Sequence, residues 1–200
     1  MSESIEAFLR RAALILIGVL ILFSPSKAPM LSGKYLDDRK ANEQYVAKLI
    51  DYKGYQKLLR QTDTETTMNV IKMIENSSYP EYVKAIIEVE SSWNVNALSN
   101  RDARGLMQVR PIAGLEIEPD IDPSELFDPE TNVRIGIDIF DNHLEYYYGY
   151  DDPMDWVLTS YNRGIAGTRA LHMNPPSTRY SRKVSNISRK FVDESDNVNM

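Results

Sequence analysis

The stretch Ser78–Gln108, SYPEYVKAIIEVESSWNVNALSNRDARGLMQ, decides how the rest of the chain is interpreted. Its first part predicts a helix, with Ser78 as the N-cap and Glu81, three residues later, completing a capping box. Residues at helical spacing form an apolar stripe along this helix, and the stripe ends in an acid: Val83, Ile86, Ile87 and then Glu90. A carboxylate in that position is either a paired structural group or one that the helix places in a cleft.

Two effects would raise the pKa of Glu90 at the end of this helix. Partial burial disfavours the charged carboxylate. The negative end of the helix dipole does the same if the helix stops near Ser91 or Ser92. A raised pKa would keep the carboxyl protonated near neutral pH, as a general acid requires. On the helix alone, a structural carboxylate that reaches solvent or an arginine is the more common explanation.

The composition of the 200 residues excludes several classes of function. A net charge of −6 without a basic stripe argues against a nucleic-acid partner. The chain contains no cysteine, which rules out disulfides and thiolate chemistry. Its two histidines, His143 and His172, lack partners at metal-ligand spacing. We therefore predict neither a metal site nor a cofactor.

The N-terminal region predicts a membrane segment. Residues 12–23 (AALILIGVLILF) are uninterruptedly apolar and follow Arg10-Arg11, which fits the core of a signal peptide or a short anchor. Pro29 disfavours cleavage at the nearest small-residue site, so an uncleaved anchor is slightly favoured, with the following domain outside the cytoplasm. A buried structural helix is the remaining alternative. Residues 1–34 are assigned to this segment and a Pro/Ser/Gly-rich linker.

The remaining chain predicts a mainly helical domain with at most a small β element. Residues 35–61 read as a charged accessory helix or stalk that Gly54 weakens or divides. Residues 62–192 form the globular domain, and residues 193–200 a flexible tail. Helices are predicted to start at a capping box at Thr62–Glu65, then at Pro111, Asp128-Pro129, Asp152-Pro153 and about Ser177. The last of these helices is predicted to end near Phe191. Between the helices, Gly105–Val109 is predicted to be strand-like or extended, and residues 116–128 to form a loop.

Helix ends followed by polar, glycine-containing loops occur at three places: Glu90-Ser91, Gly105–Gln108 and Tyr161-Asn162. In a helical domain such termini can converge on one cleft. Uncharged hydrogen-bonding side chains and aromatic faces are what a sugar site needs. Taken singly, however, Tyr161 fits a core position better, and Gln108 fits a loop residue bonded to backbone.

In order and spacing, these motifs resemble the soluble-type lytic transglycosylase family, which shares the goose-type lysozyme fold. The resemblance covers roughly residues 65–191. The chain departs from the family pattern at Asp102-Ala103, where Gly-Ala is common, and at Arg110, where an apolar residue is usual. The motifs that carry the resemblance are Glu90-Ser91 with Trp93-Asn94 and Ser99, Gly105–Gln108 (GLMQ), Leu126–Gly136 (LFDPETNVRIG), Ser160–Gly164 (SYNRG) and Pro176–Val184 (PSTRYSRKV).

The resemblance implies a lysozyme-like helical domain and a lyase that acts on peptidoglycan. Cleavage of the β-1,4 bond from N-acetylmuramic acid to N-acetylglucosamine would be non-hydrolytic and would give a 1,6-anhydromuramic product. The implied partners are peptidoglycan glycan strands and the inner membrane, with a secretion or virion assembly left open. The implied location is the periplasmic side of the inner membrane or, alternatively, a phage virion. The implied site residues are Glu90 as single acid/base, Ser91 as its orienting residue, and Ser99, Gln108, Tyr161 and Asn162 lining the cleft.

Two other functions remain open from the sequence. A non-catalytic peptidoglycan-binding or assembly protein could keep the groove without the chemistry. A lysozyme-type hydrolase would need a second carboxylate near Glu90. The candidate second carboxylates are Asp102, Glu116, Glu118, Asp120 and Asp122.

The tyrosines of residues 146–150 could stack on sugars. Packing at a helix end explains them better, because consecutive residues cannot share one helix face.

Overall fold

The computed structural model describes residues 52–172, 174 and 176–196, with side chains as far as residue 191. The chain divides into two compact units, residues 1–56 and 57–200, and the second holds all the predicted site residues. The predicted membrane segment and most of the predicted accessory helix lie outside the described residues. Within the described ranges, none of the helices combines the length and the apolar character needed to cross a membrane.

The described part of the chain is mainly helical, as predicted, and contains no regular β strand. Two isolated antiparallel bridges join Leu98 to Arg104 and Arg104 to Val109. The segment Gly105–Val109 therefore forms turns closed by a bridge rather than the expected strand-like or extended segment. The helices are α1 (Lys53–Leu59), α2 (Thr64–Glu75), α3 (Pro80–Glu90), α4 (Pro111–Ile117), a 3-10 helix (Pro123–Phe127), α5 (Pro129–Tyr146), α6 (Pro153–Arg169) and α7 (Arg179–Asp196).

Aspartate side chains cap the α-helices α2 and α5. At the start of α5, Asp128 Oδ1 accepts a hydrogen bond from the backbone N–H of Thr131 at 2.8 Å, as the sequence predicts. At α2 the cap is Asp63, which accepts from the N–H of Thr66 at 2.9 Å, rather than a capping box begun by Thr62. Each cap pairs one of the N–H groups that the first helical turn leaves free.

Helix α3 begins differently from the prediction. Its N-cap is Tyr79 and no side chain caps it, so the predicted capping box from Ser78 is wrong. Pro80 stands at the first helical position, where a residue without an N–H leaves no donor unpaired. The predicted loop at residues 116–128 is also partly wrong, because it contains the 3-10 helix, whose capping box is formed by Asp122.

Helices α3 and α5 organise the core. Helix α3 packs against α2 and α7, and α5 packs against α2, α4, α6 and the 3-10 helix. The apolar face predicted for α3 is fully buried at Val83, Ile86 and Ile87. Burial of each such side chain contributes about 1.5–3 kcal/mol relative to exposure. This packing fixes the direction of α3, and with it the position of Glu90 at its C-terminal end.

The last two helices extend further than predicted. Helix α6 continues past Tyr161 to Arg169, but Gly164 has φ 74° and ψ 161°, so the helix is kinked there. Glycine adopts this backbone conformation without steric strain. Helix α7 continues to Asp196, beyond the predicted end at Phe191. The kink leaves Tyr161 in the last turn before the chain changes direction.

Candidate active site

Glu90 is the last residue of α3 and is half-buried. Burial raises the pKa of its carboxyl above the ordinary value of 4.5, and this is the largest effect acting on it. The Tyr180 hydroxyl and the positive charge of Lys183 partly offset the rise. Among the described residues, the groups that set this pKa include no second acid. The carboxyl is therefore biased towards its protonated form without being locked in it.

Two tyrosines interact electrostatically with the Glu90 carboxyl. Tyr161, from α6, donates a hydrogen bond to the carbonyl oxygen of Met107 at 3.0 Å. The hydroxyl oxygen of Tyr180, from α7, is buried and completes no hydrogen bond of regular geometry within the described residues, but it still lowers the pKa of Glu90. Burial first, and the charge of Glu90 second, raise the pKa of both tyrosines well above the ordinary value. Both side chains are thus neutral donors at physiological pH.

Gln108 is held by its own loop. Its Nε2 donates to the carbonyl oxygens of Ala97 and Gly105, each at 3.1 Å. Because both partners are carbonyls, only the NH₂ group of the amide can satisfy them, which fixes the amide with Oε1 as the free acceptor. The backbone of Gln108 has φ 51°, in the left-handed region that costs a non-glycine residue of order 1–3 kcal/mol. Strain of this kind persists where the surrounding contacts impose it.

Ser99 offers a hydrogen-bond donor, whereas Gln108 offers an acceptor. Its Oγ accepts hydrogen bonds from the backbone N–H groups of Arg101 at 3.2 Å and Ala103 at 3.0 Å. With its lone pairs engaged in this way, the hydroxyl proton remains available as a donor. Ser99 and Gln108 therefore offer one donor and one acceptor from a single cross-bonded loop.

Ser91 and Asn162 are placed differently from the other predicted residues. The Ser91 hydroxyl donates to the Ile87 carbonyl oxygen at 3.1 Å and accepts from the Trp93 N–H at 3.1 Å. Ser91 therefore fixes the turn after α3, and the two hydrogen bonds of its hydroxyl go to backbone groups rather than to the Glu90 carboxyl. Asn162 is exposed and follows Tyr161 in the turn before the kink of α6.

Two residues that shape the site were not among the predicted site residues. Tyr180 lies in the segment Pro176–Val184, so the motif was present in the sequence although the tyrosine itself was not singled out. Asn132 lies in the segment Leu126–Gly136, and its fully buried side chain bonds to the backbone of the GLMQ loop. A polar residue beside the apolar positions of α5 was the available signal.

The acids that a two-carboxylate hydrolase would use are engaged elsewhere or exposed. Asp102 pairs with Arg104 at 2.9 Å, and Glu118 pairs with Arg134 at 2.6 Å. Asp122 caps the 3-10 helix, and the N–H of the capped turn lowers the pKa of its carboxyl. No group of three or more potential metal ligands occurs in the described part of the chain. The two remaining acidic candidates, Glu116 and Asp120, are both exposed.

The tyrosine segment at residues 146–150 forms an aromatic cluster at a helix end. Tyr147 is buried and stacks on Trp156, with ring centroids 5.5 Å apart. Tyr146 and Tyr150 meet the Tyr147 ring edge-on, at 4.9 and 5.3 Å. Tyr148 is 89% exposed. The packing interpretation is confirmed for the three tyrosines that contact one another.

Known proteins resemble the chain over its globular domain. Residues 69–180 match the transglycosylase SLT domain family. The membrane-bound lytic murein transglycosylase E of Buchnera aphidicola subsp. Acyrthosiphon pisum (strain APS) is 41% identical over 80 residues, which cover 36% of this chain and 33% of that protein. The soluble lytic murein transglycosylase of Escherichia coli (strain K12) is 37% identical over 95 residues, or 44% of this chain and 14% of that protein.

Among solved structures, the 70 kDa soluble lytic transglycosylase of Escherichia coli aligns with a TM-score of 0.47 at 22% sequence identity. The alignment covers 58% of this chain and 22% of that one. The matched regions thus make up a third or less of the length of each of these relatives.

Proposed function

Because the chain belongs to the transglycosylase SLT domain family, we propose that it is a peptidoglycan lytic transglycosylase with Glu90 as its single acid/base. The proposed reaction is non-hydrolytic cleavage of the β-1,4 bond between N-acetylmuramic acid and N-acetylglucosamine. The observation that carries the proposal is the environment of Glu90. It is a half-buried carboxyl with a raised pKa at a helix end, and the groups that act on it are the Tyr180 hydroxyl and Lys183.

In the first step, protonated Glu90 donates its proton to the glycosidic oxygen while the bond from the muramic anomeric carbon breaks. The raised pKa favours this step, because an acid is most effective when its pKa lies near the working pH. The acetamido oxygen of the same sugar supports the positive charge that develops at the anomeric carbon. The Ser99 hydroxyl and Gln108 Oε1 supply a donor and an acceptor of the kind that sugar hydroxyl and acetamido groups require.

In the second step, ionised Glu90 removes the proton from the muramic 6-hydroxyl, whose oxygen then bonds to the anomeric carbon. The proton taken up replaces the proton given, no water is consumed, and the product carries a 1,6-anhydro ring. The Tyr180 hydroxyl and the Lys183 charge stabilise the carboxylate between the two steps. An internal hydroxyl held close to the anomeric carbon takes the place of the activated water and second carboxylate of a conventional glycosidase.

The proposal is tested by digesting purified peptidoglycan and identifying the products by liquid chromatography and mass spectrometry. We expect muropeptides that end in anhydromuramic acid, each lighter by one water than its hydrolysed counterpart. Glu90→Gln should abolish them, whereas Glu88→Gln, the matched change two residues earlier on α3, should not. Reducing-end muramic acid as the sole product would refute the transglycosylase assignment and favour a hydrolase.

The proposed place of action is the periplasmic side of the inner membrane, with a phage virion as the alternative. The apolar residues 12–23 support a membrane segment, and they lie outside the described residues. Mass spectrometry of the mature N-terminus in a fractionated cell tests this. A membrane-bound chain that begins at Met1 would support an anchor, and a released chain that begins near Pro29 would support a cleaved signal.

A further inference from the structure

The loop that carries Gln108 is held by a buried amide from α5. The side chain of Asn132 is fully buried and makes three hydrogen bonds to backbone groups. Its Oδ1 accepts from the N–H of Met107 at 2.8 Å, and its Nδ2 donates to the carbonyl oxygens of Arg104 at 2.8 Å and Leu126 at 2.7 Å. Both N–H groups of the amide and its oxygen are therefore paired.

Helix α6 holds the same loop from another side. The Tyr161 hydroxyl donates to the carbonyl oxygen of Met107 at 3.0 Å. Met107 is thus bonded to α5 through its N–H and to α6 through its carbonyl. The charge of Glu90 also raises the pKa of Tyr161, so the side chain bonded to the Met107 carbonyl lies within electrostatic range of the acid.

Two glycines leave this loop little room to shift. A Cβ atom at Gly105 would lie 2.5 Å from Asn132 Nδ2 and 2.6 Å from the Leu126 carbonyl oxygen. A Cβ atom at Gly136 would lie 2.5 Å from Met107 Sδ and 2.8 Å from Met107 Cβ. Real Cβ atoms do not approach other atoms this closely. Packing and hydrogen bonding therefore specify the same loop position.

We propose that Asn132 is a positioning residue that fixes, through Met107, the Tyr161 hydroxyl and the loop that carries Gln108. Asn132 acts through the loop backbone and does not touch substrate. Its catalytic consequence rests on the proposed function. A displacement of about 1 Å within an active site can lower the rate roughly 10²-fold, so a loosened loop is expected to slow the reaction strongly.

A double-mutant cycle on kcat for peptidoglycan cleavage tests the proposal, with Asn132→Ala, Tyr161→Phe and the double variant. We expect Asn132→Ala to lower kcat by roughly 10²-fold in the otherwise unchanged protein. The drop should be several-fold smaller in the Tyr161→Phe background, where the link through Met107 is already cut. Equal reductions in both backgrounds would overturn the proposal. Asn69→Ala is the control. It removes a hydrogen bond of 3.1 Å from the Asn69 side-chain amide to Glu130, which lies on α5 like Asn132, and it should leave kcat unchanged.

Amide hydrogen exchange supplies a readout that does not depend on activity. Asn132→Ala and Tyr161→Phe should each raise exchange in residues 104–109, whereas Asn69→Ala should not. Unchanged exchange in Asn132→Ala would overturn the proposal. If the unmodified protein released no anhydro products, the proposed function would fail, and the exchange result would still decide whether Asn132 holds the loop.

Gly136→Ala covers the case in which Asn132→Ala does not fold, since the latter removes the hydrogen-bond partner of the buried Met107 N–H and Leu126 carbonyl groups. Gly136→Ala keeps every hydrogen-bonding group and displaces the loop by pushing on Met107. We expect raised exchange in the loop together with a lower kcat. Raised exchange with an unchanged kcat would show that the loop position does not set the rate, and would overturn the proposal.

Discussion

Replacing Gly105 with alanine tests how tightly the GLMQ loop is fitted against α5. Its φ of 71° costs a residue with a side chain about 1–2 kcal/mol. The new Cβ would also collide with Asn132 Nδ2 and with the Leu126 carbonyl oxygen, which is backbone and cannot rotate away. Displacing Asn132 leaves two of its backbone partners, the Met107 N–H and the Leu126 carbonyl oxygen, unpaired, at about 1–3 kcal/mol each. We therefore expect Gly105→Ala to lower the free energy of unfolding by about 3–8 kcal/mol.

Gly149→Ala is the matched control for this prediction. Gly149 has φ 83°, and among the described residues no atom lies within 4 Å of a Cβ built there. Gly149→Ala shares only the backbone strain with Gly105→Ala, so we expect it to lower the free energy of unfolding by about 1 kcal/mol. Urea unfolding followed by circular dichroism gives both values, provided that the two variants unfold with equal slopes. Equal losses in the two variants would refute the steric argument, because the Asn132 contact would then contribute nothing.

Three further predictions concern the acid and its neighbours. Burial raises the pKa of Glu90 in the folded state, so the stability associated with this group is full below its unfolded pKa and is lost as the pH rises through its folded pKa. Glu90→Gln should therefore have a higher Tm than the unmodified protein at neutral pH, with the difference vanishing below about pH 4.5 in a calorimetric pH series. Tyr180→Phe removes a group that lowers the Glu90 pKa, so the alkaline limb of the kcat profile should move to higher pH; a shift to lower pH would contradict this role. Lys183→Met should move the same limb in the same direction, and added salt should erase the difference because Lys183 is exposed.

The position of Glu90 could be predicted from sequence because the information is local. Helical spacing places Val83, Ile86 and Ile87 on one face, and all three are buried. The next position on that face is the carboxylate, so its partial burial follows from the same pattern. The predicted start of the helix at Ser78 is wrong, because Pro80, two residues later, occupies the first helical position. The proline decided the outcome, since it is restricted to the first turn while a serine is also tolerated in the preceding loop.

The contacts that complete the site could not be predicted, because they join distant parts of the chain. Tyr180 is 90 residues from Glu90 in sequence and reaches it only because α3 packs against α7. The hydrogen bonds of Asn132 to the GLMQ loop join positions separated by 25 and 28 residues. Neither pairing leaves a periodic pattern in the sequence. The sequence shows only that Tyr180 and Asn132 lie within segments typical of the family.

The choice of tyrosines as neighbours of the acid fits a reaction in which one group must both give and take a proton. A second carboxylate beside Glu90 would raise its pKa further by charge repulsion and would hold the proton on the pair. A neutral tyrosine adds no charge when Glu90 is protonated, yet its hydroxyl favours the carboxylate once the proton has left. Burial and the Tyr180 hydroxyl therefore act on Glu90 in opposite directions. A single acid/base needs both effects. Burial alone would favour the protonated form, which serves only the first step, and the hydroxyl alone would favour the carboxylate, which serves only the second.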